Sequence, residues 1–97
     1  MKAVFIAYNQ AYNEEIADIL QQFGQRGFTR WDEIQGRGSE TGIPRMGSHA
    51  WPEMVHAILS CMPDDKVQPV LDALKAKDEE SEDLGLRAFV WNIEMFY

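Results

Sequence analysis

An α+β fold, with two helices lying on one face of a four-stranded antiparallel sheet, is what this 97-residue sequence predicts. Three observations carry the prediction. Two segments place apolar residues at helical spacing, and each is flanked by segments of strand character. The resulting order is strand, helix, strand, strand, helix, strand, which is a pair of split β-α-β halves. Right-handed crossovers then put both helices on the same side of the sheet. The arrangement is the ferredoxin-like βαββαβ fold, here as a single domain over residues 1–97.

The first strand is 2–8, "KAVFIAY", in which Val4, Ile6 and Tyr8 alternate with Ala3, Phe5 and Ala7. Both sets are apolar, as in a strand covered on both sides. Residues 13–27, "NEEIADILQQFGQRG", place Ile16, Ile19, Leu20 and Phe23 on one helical stripe. Asn13 suits the N-cap, Glu14 and Glu15 suit the positive end of the dipole, and Gly27 suits the stop. Residues 28–35, "FTRWDEIQ", are rich in bulky and β-branched side chains but alternate imperfectly, so they are a strand of uncertain limits. The third strand, 53–62, carries Met54, His56, Ile58, Ser60 and Met62 on one face and Val55, Ala57, Leu59 and Cys61 on the other. In 63–78 the stripe is Val67, Val70, Leu71 and Leu74, with Asp64 or Asp65 as cap. Pro69 fits only a first turn and so limits how early this helix begins. Residues 85–97, "GLRAFVWNIEMFY", form the last strand.

Two helices cover one sheet face only, yet neither face of the strands is plainly polar. An exposed apolar sheet face of that size marks an interface. The pattern therefore predicts association with copies of the same chain, in a number that periodicity does not fix. Trp31, Trp51 and Trp91 are expected in the core or in that interface.

The net charge of −7 and pI near 4.6 exclude a nucleic-acid-binding domain of the usual basic kind. They also disfavour binding to anionic lipid. The acid is densest in "KDEESEDLG", expected as a solvated loop, with attraction of cations as the alternative. One cysteine, Cys61, leaves no internal disulfide and suits a reducing compartment. It lies in a strand without a basic neighbour, so a structural thiol is expected. The amino-terminal apolar run is too short for a signal core or a membrane span. A cytoplasmic location is the expectation.

A connection of about fifteen residues between strands two and three is long for a compact domain, and loops beyond roughly 12 residues are commonly functional. It contains Gly36, Gly38 and Gly42, interleaved with Arg37 and Arg45. The spacing is not the dinucleotide fingerprint, since the third glycine comes four residues after the second and no helix follows. These glycines either let the chain turn or, with Arg37 and Arg45, present backbone N–H groups to an anion. Met46 and His49 are candidate ligands for a soft or borderline metal. His56 and Cys61 point to opposite strand faces and cannot share an ion within one chain. No nucleophile, base and orienting group form a legible set, so enzymatic activity is not expected.

With the element order and the long loop in place, the sequence resembles the PII signal-transduction superfamily over most of its length. "GQRGFTRWDEIQGRG" is similar to that family's glycine-ended helix, second strand and glycine pair opening the T-loop. "GLRAFVWNIE" is similar to the glycine-to-basic segment that begins its fourth strand, and "RMGSHAWPEM" to a shorter loop of divergent PII-like members. The resemblance implies a homotrimer with its sheets turned inward and a ligand bound between subunits. Gly36, Arg37, Gly38, Arg45 and Arg87 are the ligand-binding candidates. It further implies that loop 37–50 acts on a partner, a membrane transporter or an enzyme. Two departures from the nitrogen regulators proper are legible: no tyrosine lies between Gly36 and Ala50, and Arg87 is nearly alone as a basic residue near the last strand. The related CutA-like branch is associated with divalent metals, which keeps His49 and Met46 as a metal alternative. The ligand is thus open between a nucleotide and a divalent metal.

Overall fold

Strand β1 (Lys2–Asn9) sits inside the sheet, pairing antiparallel with β3 (Val55–Met62) on one side and β4 (Arg87–Asn92) on the other. β2 (Thr29–Ile34) adds to the outer edge of β3, giving the order β2-β3-β1-β4. These elements belong to a computed structural model that describes residues 1–37, 46–47 and 54–97. Helices α1 (Asn13–Gln22) and α2 (Asp64–Glu80) complete the expected ferredoxin-like order. Among the described residues, no helix is long and apolar enough to cross a membrane.

The alternation of β1 explains the layering. Val4, Ile6 and Tyr8 turn to the helices and join Ile58, Met62, Ile16, Leu20, Val70 and Leu74 in one buried cluster. Ser60 and Gln25, both buried here, are satisfied. Ser60 Oγ donates to the Gly27 carbonyl at 2.7 Å, and Gln25 Nε2 donates to the Cys61 carbonyl at 2.8 Å. A buried hydroxyl or amide without such partners would cost about 1–3 kcal/mol.

Several local details differ from the sequence expectation. Asn13 is not the N-cap of α1; a 3-10 turn, Gln10–Tyr12, precedes the helix, and Asn9 caps that turn by accepting from Ala11 N at 3.0 Å. Asn13 Oδ1 accepts instead from the Tyr8 hydroxyl. Gly24, not Gly27, stops α1. Gly24 N donates to the Gln21 carbonyl and Gln25 N to the Leu20 carbonyl, both at 2.9 Å, with Gly24 at φ +72°. That is the paired closure of a Schellman motif, in which a residue without Cβ adopts the left-handed conformation at least cost.

Neither Asp64 nor Asp65 caps α2, whose N-cap is Pro63. Asp64 Oδ1 accepts from the amino-terminal ammonium at 2.7 Å, and that hydrogen bond holds its carboxyl below the usual range. Pro69 lies five residues past the helix start, beyond the first turn. Its missing N–H deprives only the Asp65 carbonyl, and both residues are exposed, so that carbonyl is not left unpaired in a dry interior. The acidic segment is less loop than expected, since α2 runs through Glu80. Asp78 Oδ1 accepts from Leu86 N, Asn9 Nδ2 donates to the Asp83 carbonyl, and the Tyr12 hydroxyl donates to the Glu82 carbonyl. Leu84 and Leu86 enter the core, and β4 spans Arg87–Asn92 rather than all of 85–97.

Burial pushes the Tyr8 phenol up to about 12, with Arg30 opposing and Asp32 adding to the shift. The folded chain therefore keeps this proton at pH values where an unfolded tyrosine, near its ordinary 10.0, has lost it. The stabilisation is complete below pH 10 and is lost as pH rises through 12. Urea unfolding midpoints of the native chain should fall between pH 9 and pH 11.5 more steeply than those of Tyr8→Phe. Parallel slopes would refute the assignment.

Candidate functional site

The uncovered sheet face is apolar. By strand register, Phe5 faces Leu59 on one side and Phe89 on the other, and Ala3 lies between Cys61 and Trp91. Trp31 joins this face opposite Ala57, its ring centroid 6.3 Å from that of Phe5. Phe89 is 57% exposed, Trp91 50% and Trp31 44%. In one chain, then, Trp31 and Trp91 belong to an open surface and not to the core. Trp51 lies outside the described residues. Cys61 is exposed on this face, away from His56, which turns with Tyr8 toward the helices.

A cleft of about 340 Å³ indents one end of the face. Phe5 and Phe89 line it with aromatic rings, Ile34 and Val55 with aliphatic side chains, and Gly36, Arg37, Gly85 and Arg87 also take part in the lining. Two backbone features bring these groups together. The first is a bulge in β2. Trp31 pairs with Ala57 and Ile34 with Val55, so three steps along β2 match two along β3. One extra residue restores Ile34 to the open face, and Glu33 takes up the kink at φ +53°. The second is Gly85, whose φ of +58° turns the chain from the buried Leu84 into β4.

Gly36 sits close against β3. A Cβ there would stand 3.0 Å from Val55 Cγ2, so the Val55 side chain would have to give by a few tenths of an ångström. At the far end of the loop, Gly47 has φ +65°, and a Cβ would meet Met54 Sδ at 2.8 Å. Gln35 Nε2 donates to the Met46 carbonyl at 2.9 Å, which brackets the start and finish of the connection. Arg87 is oriented by donation from Nη1 to the Leu86 carbonyl at 3.0 Å.

Of the sequence candidates, Gly36, Arg37 and Arg87 thus meet at one cleft. Gly38, Arg45 and His49 lie outside the described residues, as does most of loop 37–50. Met46 contributes a carbonyl to Gln35, and no metal set of three or more His, Cys, Asp or Glu exists among the described residues. Phe5, Phe89 and Gly85 were not singled out from sequence. The signal for the aromatics was present as alternation, since Arg87, Phe89 and Trp91 share one face of β4.

The cleft combines an aromatic, apolar wall with two guanidinium groups and two segments of backbone free of side chains. Chemically this suits a ligand with a flat apolar part and an anionic part. The local cations matter in a chain of net charge −7, whose general field repels anions.

Comparison with known proteins gives the same architecture. The PII-like protein CPII from Thiomonas intermedia K12, in a structure bound to ADP, AMP and bicarbonate, superposes with a TM-score of 0.77 at 22% identity, covering 95% of this chain and 84% of that one. A second CPII structure, bound to ADP and bicarbonate, gives 0.76 at 24% identity over the same shares, 95% and 84%. A putative PII-like signalling protein from Thermus thermophilus gives 0.69 at 18% identity, covering 95% and 85%. No curated protein matches the chain. A family model described as nitrogen regulatory protein P-II matches residues 1–97, the whole sequence. The chain belongs to the nitrogen regulatory protein P-II family.

Proposed function

We propose that this protein is a trimeric, cytoplasmic PII-like regulator that binds a nucleotide at clefts between subunits and acts on a partner protein through loop 37–50. The observation that carries the proposal is the convergence of Gly36, Arg37 and Arg87 on a cleft opening onto the apolar sheet face. In a trimer with sheets inward, Trp31 and Trp91 are covered by neighbouring copies, and the cleft lies at a seam. Its aromatic wall takes the base, and the two guanidinium groups take the phosphates with Gly36 N–H nearby. The ADP and AMP of the CPII structure are ligands of this chemistry, and its bicarbonate shares the anionic part alone. Binding shifts the base of the loop, since Gly36 and Arg37 are its first residues. The output is then a changed loop surface, offered to a membrane transporter or an enzyme, with no bond made or broken by this chain.

Calorimetry with ADP, AMP and bicarbonate tests the assignment. Arg37→Ala and Arg87→Ala should each weaken ADP binding by roughly ten- to a hundred-fold, because a hydrogen bond to a charged group contributes about 1.5–3 kcal/mol. A chain that binds none of the three, or variants that bind as the native chain does, would defeat it. In the same preparation Cys61 should react slowly with a thiol reagent when assembled and rapidly when diluted or dissociated.

A further inference from the structure

The helix-facing side of the β2–β3 edge holds a polar cluster that the ligand cleft does not use. His56 pairs with Tyr8 across the β1–β3 ladder, and the two rings meet edge to face at 6.0 Å between centroids. The His56 side chain is only 14% exposed, and its Nδ1 is buried without a hydrogen-bond partner. Asp32 Oδ1 stands 3.6 Å from that nitrogen, just beyond hydrogen-bond distance. The same oxygen accepts from Arg30 Nε at 2.7 Å. The charged and titratable groups facing the imidazole are therefore Asp32 and Arg30 from β2 and Tyr8 from β1. A buried nitrogen left unpaired beside a carboxylate is costly, and a proton on it removes the cost.

The position of this cluster gives it leverage. Asp32 lies between Trp31 and Ile34, where the β2 register slips, next to Glu33 at φ +53°. His56 directly follows Val55, the residue that pairs with Ile34 and packs against Gly36. A contact between Asp32 and His56 thus joins the two strand ends whose Ile34 and Val55 line the cleft, from the opposite side of the sheet.

We infer that His56 and Asp32 form a proton-operated tie that fixes the β2 bulge and through it the position of Ile34, Gln35 and Gly36. With the imidazole neutral, Asp32 is held by Arg30 and the strand ends are joined only by their ladder. With the imidazole protonated, Nδ1–H donates to Asp32, the 3.6 Å gap closes, and the bulge is clamped to β3. Histidine is the side chain whose charge changes in the physiological range. The tie itself does not depend on what the cleft binds; only its effect on affinity rests on the regulatory function proposed above.

The test uses the ligand-free full chain, so that its outcome is separate from that of the nucleotide assignment. NMR titration between pH 5 and 8 follows the His56 ring together with the backbone amides of Ile34, Gln35 and Gly36. The expected result is one shared midpoint for ring and amides. Asp32→Asn, a change at an exposed position, should uncouple the amides from the ring. Amides that do not follow the ring, or that follow it equally in Asp32→Asn, would overturn the inference.

Discussion

Leu59→Asp should convert the native assembly into a folded monomer. Leu59 lies mid-strand on the uncovered face of β3, opposite Phe5 on β1 and Thr29 on β2, and it does not line the cleft. In a lone protomer this position borders solvent, so a carboxylate there stays hydrated and the fold survives. Packed against neighbouring copies, the same carboxylate loses its water without gaining a partner, and an uncompensated buried charge costs about 3–5 kcal/mol. If three copies bring these faces together, the carboxylates also repel one another. Sedimentation of the native chain at micromolar concentration should therefore give three protomers and that of Leu59→Asp one, with far-UV circular dichroism unchanged. Gln68→Asp, on the exposed face of α2, is the matching charge control and should leave the assembly intact. A native chain that runs as a monomer, or a Leu59→Asp chain that stays assembled, would remove the basis of the inter-subunit site.

This experiment also bears on why the face is apolar at all. A domain of this size leaves much of its surface in water even when folded. Placing Phe89, Trp91 and Trp31 on that surface is a solubility hazard unless something covers them. The alternation that puts them there is legible in the sequence, because Val4, Ile6 and Tyr8 leave Ala3, Phe5 and Ala7 for the other side. The two helical stripes were equally legible, since Ile16, Ile19, Leu20 and Phe23 fit only one period.

What the sequence left undecided has physical causes. Gly27 was expected to stop α1, but the stop is at Gly24, because there the hydrogen bonds close back to Leu20 and Gln21, a matter of backbone geometry and not of residue type. Trp31 and Ile34 are three residues apart and so break a period of two; only the bulge at Glu33, a feature of backbone pairing, returns them to one face. Gly36, Arg37 and Arg87 were identifiable by type, but that they meet at one cleft is a fact of register, through the Ala7–Arg87 and Ile34–Val55 pairs. Phe5 and Phe89 escaped notice as site residues because an aromatic at a strand position looks like core. Nothing in the neighbours of His56 along the chain signals Asp32 across the ladder.

Ile6→Ala should cost the protomer a large part of its stability. Ile6 is fully buried at the centre of β1, where it pairs with Ile58 on one side and Ala88 on the other beneath the helices. Removing its outer carbons withdraws apolar area from the core and leaves a cavity that rigid ladders on both flanks cannot close by shifting. Such truncations cost about 2–5 kcal/mol, against a total of about 5–15 kcal/mol for small domains. Val90→Ala makes a similar change on the same sheet face, one strand out, where Val90 is 37% exposed. Its cost should stay near 1 kcal/mol or below, since partly hydrated groups gain less from burial. Association would add a concentration-dependent term, so both variants belong in the Leu59→Asp background, where unfolding reports the protomer alone. A loss for Ile6→Ala no greater than that for Val90→Ala would mean that the helices do not close over the centre of the sheet, and the layered core described for this chain would be wrong.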